Sequence, residues 1–367
     1  VTTLPEELRP LRLGRAGRAL LPEIRSFAVR EGIVERMAAL SPFRLDDLCR
    51  SLAGELGYLP ELGNRRRMIG ALVDLLAESG WLERCGEGPS WRYRLPGLPP
   101  AEEEGEAEPE DGEIRFFRRC LELVPDYLRG REAPIGFDEG RVALWDDFLG
   151  CDEFQACRLA LLNRIGAPSP LRLLDLCHGP GRGVEMVVAR RPDARISAVD
   201  FTDSFAAAAR RRAEAACDRN RRAGLPCPSI GWHGPAEWKG FGHPLPFGEG
   251  SFDAVLFGCG DPYVDPAGRE AVYREIHRVL APGGTLCVLT RGYPDPAGKH
   301  VARFWMRVTA LVHDFTESVC AGWHGFAGVE ESERLFAAVG FRGAAADDGR
   351  MHVVDSSLWL LRKGGGA

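Results

Sequence analysis

Two acids and a glycine loop carry the clearest chemistry in the chain. The run Leu173-Leu174-Asp175-Leu176-Cys177-His178-Gly179-Pro180-Gly181-Arg182-Gly183 places an apolar stretch before Gly179, Gly181 and Gly183. Glycines so spaced let backbone amides approach a ligand closely; in a dinucleotide loop the pattern is G-x-G-x-x-G and the ligand is a pyrophosphate. Asp175 points to a different ligand, because a carboxylate beside the loop suits a cationic amine and opposes a diphosphate. Asp200, 17 residues after Gly183, ends a second apolar run and can accept hydrogen bonds from both hydroxyls of a ribose. Each acid also has a structural reading: Asp175 can order a turn, and Asp200 can cap a helix near 204, in competition with Asp203 and Ser204.

The elements that must position these residues alternate from about residue 170 onward. Short apolar runs at 171–176, 195–200, 229–232, 252–257 and 285–290 read as strands, and helix-like segments start near 183 and cover 204–223 and 269–280. Strand and helix in alternation specify an α/β fold with a parallel, doubly wound sheet covered on both faces. Upstream, apolar residues recur at helical spacing in three segments: Leu20, Ile24 and Phe27; Leu45, Leu48, Leu52 and Leu56; Met68, Leu72, Leu75 and Leu76. Two short strands around a Gly-rich turn follow at 81–95, which suggests a mostly helical winged-helix domain over 1–95. Residues 96–113 carry eight acids and no base from 101 on. They read as a solvated linker. Connecting helices are expected over 114–166, and the sheet domain over 167–367.

With these motifs in hand, the stretch from 171 to 290 resembles the class I S-adenosylmethionine (SAM)-dependent methyltransferases. Residues 173–183 look like their first motif, and Ser197-Ala198-Val199-Asp200 like the ribose-binding strand end. Leu245-Pro246-Phe247 with Ser251-Phe252-Asp253-Ala254-Val255 is similar to a further family run, as is Ala281-Pro282-Gly283-Gly284 after its helix. The resemblance implies a Rossmann-like sheet of seven strands, closed by a hairpin of 341–347 and 357–362 around Asp347-Asp348-Gly349. It implies SAM as cosubstrate, held by Asp175, Cys177, His178, Gly179, Gly181, Gly183, Asp200, Phe201, Ala236, Glu237, Gly258 and Cys259. His178 either reaches the methionine end or packs in its turn. A winged helix ahead of this domain resembles the small-molecule O-methyltransferases, whose front module dimerises and covers the acceptor.

Three departures shape the reading. Cys177-His178 stands where small residues are usual. The adenine-contacting acid is shifted to Glu237. No histidine lies in 258–265, where such enzymes place a catalytic one. Histidine suits proton removal because its pKa lies near working pH. The candidates are therefore His324 and His313, in an aromatic-rich segment, 293–328, expected to cap the acceptor; Asp261 is a third. Asp261 and Asp265 flank a loop without a third ligand, so no metal is expected.

The resulting expectation is a methyltransferase acting on a hydroxyl of a small, partly apolar acceptor. The alternative is the same fold used for SAM-assisted chemistry without methyl transfer, such as a decarboxylase or cyclase, or a winged-helix regulator. Nucleic-acid binding is disfavoured, since residues 1–95 hold 15 arginines against 13 acids, although Arg65-Arg66-Arg67 could touch phosphate. The 11 cysteines include no C-x-x-C pair and read as reduced thiols. No apolar run approaches the ~20 residues of a membrane span, and Val1 to Glu7 shows no signal-peptide pattern, so a cytoplasmic protein is expected; the resemblance implies a homodimer through the N-terminal domain.

Overall fold

The computed structural model describes residues 12–86, 91–97, 108–166, 169–294, 303–343 and 349–364. The chain forms two compact units. The first joins Arg12–Gly136 to Tyr293–Gly325, and the second joins Phe137–Gly292 to the chain from Phe326 onward.

In the first unit four helices, α1 (Arg15–Arg30), α2 (Ile33–Leu40), α3 (Leu45–Leu56) and α4 (Arg65–Glu78), precede a two-stranded antiparallel ribbon of β1 (Glu83–Cys85) and β2 (Arg92–Arg94). Helix α5 (Gly112–Leu128) follows. The sequence suggested three helices before the ribbon; α2 is too short to show a clear period. Leu20, Ile24 and Phe27 of α1, Leu72, Leu75 and Leu76 of α4, and Phe116 and Phe117 of α5 are all buried.

The helix these faces enclose comes from far downstream. Helix α11 (Phe304–Glu317) packs on α1, α4 and α5, with Val308 to Glu317 all buried and the Phe315 ring 6.0 Å from that of Phe27. The segment 293–328 was expected to cap the acceptor. Its helix α11 completes the helical core, buried on every face at the centre of the bundle. The acid run also ends differently from a solvated linker. Residues 98–107 lie outside the described residues, but Glu108 pairs with Arg18 and Asp111 with Arg15. The Asp111 carboxylate caps α5, accepting from the Glu113 and Ile114 amides at 3.1 Å each.

The second unit starts with α6 (Val142–Leu149) and α7 (Asp152–Leu162). Then come β3 (Arg172–Leu176), α8 (Arg182–Arg190), β4 (Arg195–Val199), α9 (Ala206–Arg222), β5 (Ser229–His233), β6 (Phe252–Gly258), α10 (Arg269–Val279) and β7 (Leu280–Thr290). After the excursion to the first unit it closes with α12 (Val329–Val339), β8 (Phe341–Gly343), β9 (Arg350–Val353) and β10 (Ser356–Lys363). The sheet order is β5-β4-β3-β6-β7-β10-β8. The first five strands are mutually parallel and β10 is antiparallel to β7. The expected Rossmann-like sheet is present with one strand added: β9 pairs with Ser356–Trp359 of β10, and β8 with Leu361–Lys363 of the same strand. The closing hairpin is thus β9–β10, turning at Val354 (φ 55) and Asp355; Asp347 and Asp348 lie outside the described residues.

Leu174, Leu176, Val255, Phe257, Leu286, Val288, Trp359 and Leu361 form a core with Tyr273, Ile276, Phe336 and Val339, as parallel strands buried on both faces require. Cys217 of α9 is disulfide-bonded to Cys227, Cα atoms 5.2 Å apart, against the expectation of reduced thiols. Among the described residues no helix is long and apolar enough to cross a membrane.

Candidate functional site

The glycine loop leaves the end of β3 between two parallel neighbours, β4 and β6. It turns at Cys177, whose φ of 60° is left-handed, and the Cys177 and His178 amides donate to the Val199 carbonyl at 2.9 and 3.3 Å. A non-glycine residue in this conformation costs roughly 1–2 kcal/mol. Cys259, after the adjacent β6, repeats it with φ 62°. Two strands side by side therefore end in sharp turns, which opens the sheet at their tips. Gly181 lets α8 close onto α9, since a β-carbon there would lie 2.7 Å from Ala209 Cα.

Asp175 is buried, and its Oδ2 has no hydrogen-bond partner among the described residues. Burial pushes its carboxyl up to about 6; the charges of His178 and Arg158 oppose that rise, Asp200 adds to it, and the Val184 amide also binds the carboxylate. An orphaned buried acceptor costs about 1–3 kcal/mol, and a ligand ammonium would satisfy it. Asp200 turns onto the same loop: its Oδ2 accepts from the Gly179 amide at 2.9 Å and its Oδ1 from Thr202 at 3.2 Å. Burial also raises the Asp200 carboxyl. It does not cap α9, whose N-cap is Phe205 without a side-chain bond. The loop, Asp175 and Asp200 are thus brought together as the motif required, and the donor set fits a ligand with an amine and a diol. The His178 ring packs in its turn, Nδ1 donating to the Gly179 carbonyl at 2.7 Å, edge-on to Trp232 at 5.3 Å.

The remaining expected residues are placed less uniformly. Phe201 lies in an aromatic group with Phe137 (5.6 Å) and Trp238 (6.4 Å). Gly258 and Cys259 end β6 beside the loop. Ala236 is exposed in the turn after β5. Glu237, the candidate adenine contact, turns back to His233 Nδ1 at 2.7 Å. The Asp261 carboxylate is buried and already occupied: the Tyr273 hydroxyl donates to it at 2.7 Å and Arg269 stands 3.7 Å away. Burial raises its carboxyl, with Arg269 opposing. Phe137, Trp145 and Tyr263 cluster beside Phe201; Phe137 and Trp145 lie in the stretch 114–166 expected to form connecting helices.

The two histidines belong to the first unit. His313 lies on α11, its Nε2 against Glu317 one turn on, its ring 4.7 Å from Phe117 and stacked at 5.5 Å on Trp323. His324 is half-buried and has no hydrogen-bond partner among the described residues. The three arginines that open α4 are used within the unit. Arg65 lies 4.1 Å over the Tyr127 ring, Arg66 pairs with Asp46, and Arg67 pairs with buried Asp314 at 3.0 Å.

Residues 174–288 match the family model for a methyltransferase domain. The chain is 37% identical over 128 residues to the demethylmenaquinone methyltransferase of Thermus thermophilus, covering 35% of this chain and 50% of that one. The chain spans about half the length, or less, of the curated relatives it matches. Among solved structures it is similar to an O-methyltransferase family 2 protein of Planctomyces limnophilus in complex with apigenin, at 16% identity and a TM-score of 0.56 over 99% of this chain and 100% of that one. It is also similar to the CurJ carbon methyltransferase, at 12% identity and a TM-score of 0.54 over 97% and 100%. At such identities the likeness is one of fold. Residues 174–288 thus match a methyltransferase domain, and the chain has the fold of these solved methyltransferases.

Proposed function

We propose that the protein is a cytoplasmic enzyme that transfers a methyl group from SAM to a hydroxyl oxygen of a small, partly apolar acceptor. In this reading the first unit, as a winged-helix module, dimerises and covers the acceptor. The observation that carries it is the unpartnered Oδ2 of Asp175, buried beside Gly183 on a loop that Asp200 also grips.

SAM, when bound, supplies an electrophilic methyl on its sulfonium. Asp175 binds the ammonium and Asp200 the ribose hydroxyls. Gly179, Gly181 and Gly183, having no side chains, let the loop backbone approach the ligand closely, and the Phe201 group provides an apolar wall for the adenine. The protein's contribution to an in-line displacement is alignment and water exclusion. A hydroxyl acceptor must also lose a proton. The candidates for this role are His324, which is half-buried, and His313, whose Nε2 faces Glu317 in the core of the first unit. Asp261, engaged by Tyr273 and Arg269, orders its own loop.

The test is incubation of the full chain with methyl-tritiated SAM and a panel of phenols and hydroquinones. Phenols come first because one structural relative holds apigenin. The product is located by mass spectrometry and NMR. An O-methyl ether is expected. A carbon-bound methyl would overturn the hydroxyl reading, and SAM binding with acceptor decarboxylated or cyclised but never methylated would favour the non-methylating alternative.

A further inference from the structure

One charged cluster of the second unit lies outside the cofactor contacts just assigned. Asp146, on α6, accepts from two arginines at once. Arg182 Nε donates to its Oδ1 at 2.7 Å and Arg182 Nη2 to its main-chain carbonyl at 3.3 Å. Arg212 Nη2 donates to its Oδ2 at 2.6 Å. Both arginines belong to the glycine loop's surroundings. Arg182 stands between Gly181 and Gly183 and opens α8. Arg212, on α9, also donates to the Pro180 carbonyl and to Glu185, each at 3.2 Å. The chain makes room for the contact: a β-carbon on Gly150 would lie 2.6 Å from the Arg182 guanidinium carbon. With Asp146 26% exposed and each arginine 21%, solvent screens the cluster only in part.

The other end of this covering segment is tied to the strand that ends in Asp200. The Phe137 carbonyl accepts from Thr202 Oγ1 at 3.4 Å, and the Phe137 ring stacks on Trp145 at 4.9 Å and meets Phe201 and Tyr263 edge-on at 5.6 and 5.2 Å. Residues 137–149 therefore run from the neighbour of Asp200 to the glycine loop, fastened by rings at one end and by Asp146 at the other. Removing the Asp146 charge would take from Arg182 its carboxylate contact and leave Arg212 with the carboxylate of Glu185 alone, beside a loop that holds a cationic ligand.

We propose that Asp146 is a positioning residue of the cofactor site: by joining Arg182 and Arg212 it fixes the glycine loop against segment 137–149 and sets how fast SAM leaves. The inference rests on the cofactor reading above and is independent of the acceptor. It is tested on the full chain by isothermal titration and stopped-flow binding of SAM to wild type, Asp146→Asn and Asp146→Glu, with hydrogen exchange measured in the absence of ligand. Asp146→Asn should bind SAM about tenfold more weakly, mostly through faster dissociation, and exchange faster at 137–149 and 177–183. Asp146→Glu should restore most of both. Wild-type affinity and exchange in Asp146→Asn would overturn the proposal, as would faster exchange spread through every sheet strand without rescue by Glu. A wild-type protein that binds no SAM would refute the cofactor site itself.

Discussion

A β-carbon on Gly183 would stand 2.4 Å from Oδ2 of Asp175 and 3.0 Å from its carboxyl carbon. The glycine is thus matched to the acid eight residues before it, and an added methyl must push the carboxylate out of its position. Gly183→Ala should weaken SAM binding by about tenfold or more, a cost of ~1.4 kcal/mol or above, while the ordinary helical backbone at 183 keeps the loss of thermal stability small. Titration calorimetry and thermal melts on the same preparation check both parts; unchanged affinity would refute the matching.

The Asp175 carboxyl lies at about 6, above its ordinary value near 3.8. For a raised acid the protonated form is the one favoured in the fold. Its effect on stability is therefore absent below the unfolded pKa, and the protein loses stability as pH rises from about 4 through 6. Ligand affinity runs the opposite way, because an ammonium pairs with the ionised carboxylate. SAM binding should strengthen as pH rises through about 6 and then level off, and Asp175→Asn should flatten that profile. Thermal shifts with and without SAM between pH 5 and 8 read both trends.

Where His313 removes the acceptor proton, Glu317 at its Nε2 would orient and stabilise the ring. If the acceptor is a hydroxyl, His313→Asn should lower kcat by about 100-fold with SAM affinity unchanged, and Glu317→Gln should lower it less. An acceptor turnover that survives in His313→Asn would move the proton to His324 or to solvent.

Arg67 answers the negative charge of Asp314, which is fully buried and also accepts from Trp323 Nε1 at 2.9 Å. Arg67→Ala strands that charge in the core of the first unit and should cost about 3 kcal/mol, seen as a fall in denaturation midpoint. Arg67→Ala with Asp314→Asn should recover part of the loss.

How much of this was legible in the sequence follows from where each signal is stored. The parallel strands announced themselves because a strand buried on both faces is a continuous apolar run, as in Leu173-Leu174 and Val255-Leu256-Phe257. Asp175 and Asp200 were legible because the loop and strand ends that carry them are local in sequence. The contact of Glu237 with His233 was not legible, because His233 gives no pattern of its own. The same holds for Asp146, whose partners lie 36 and 66 residues away, and for Arg67 and Asp314, 247 apart. Only folding brings such groups together. The aromatic stripe of 304–317 was visible, but a stripe does not say which unit it fills.

The placement of α11 bears on how the molecule is made. A nascent chain that has emerged through α5 presents the apolar sides of α1, α4 and α5 with their central helix still unsynthesised, and the whole run from β3 to β7 must be translated before that gap is filled. The unit whose chain begins ahead of the sheet therefore stays incomplete until α11 follows the strands β3 to β7. A truncation at residue 136 and one that starts at 137 each yield a fragment with exposed core: the former lacks the plug and the latter carries it unclothed, with Asp314 and Glu317 turned toward solvent. Recombinant pieces cut at the apparent boundary are accordingly expected to engage chaperones, whereas co-expressed halves can recover a folded protein only if the downstream piece delivers its helix back to the upstream one.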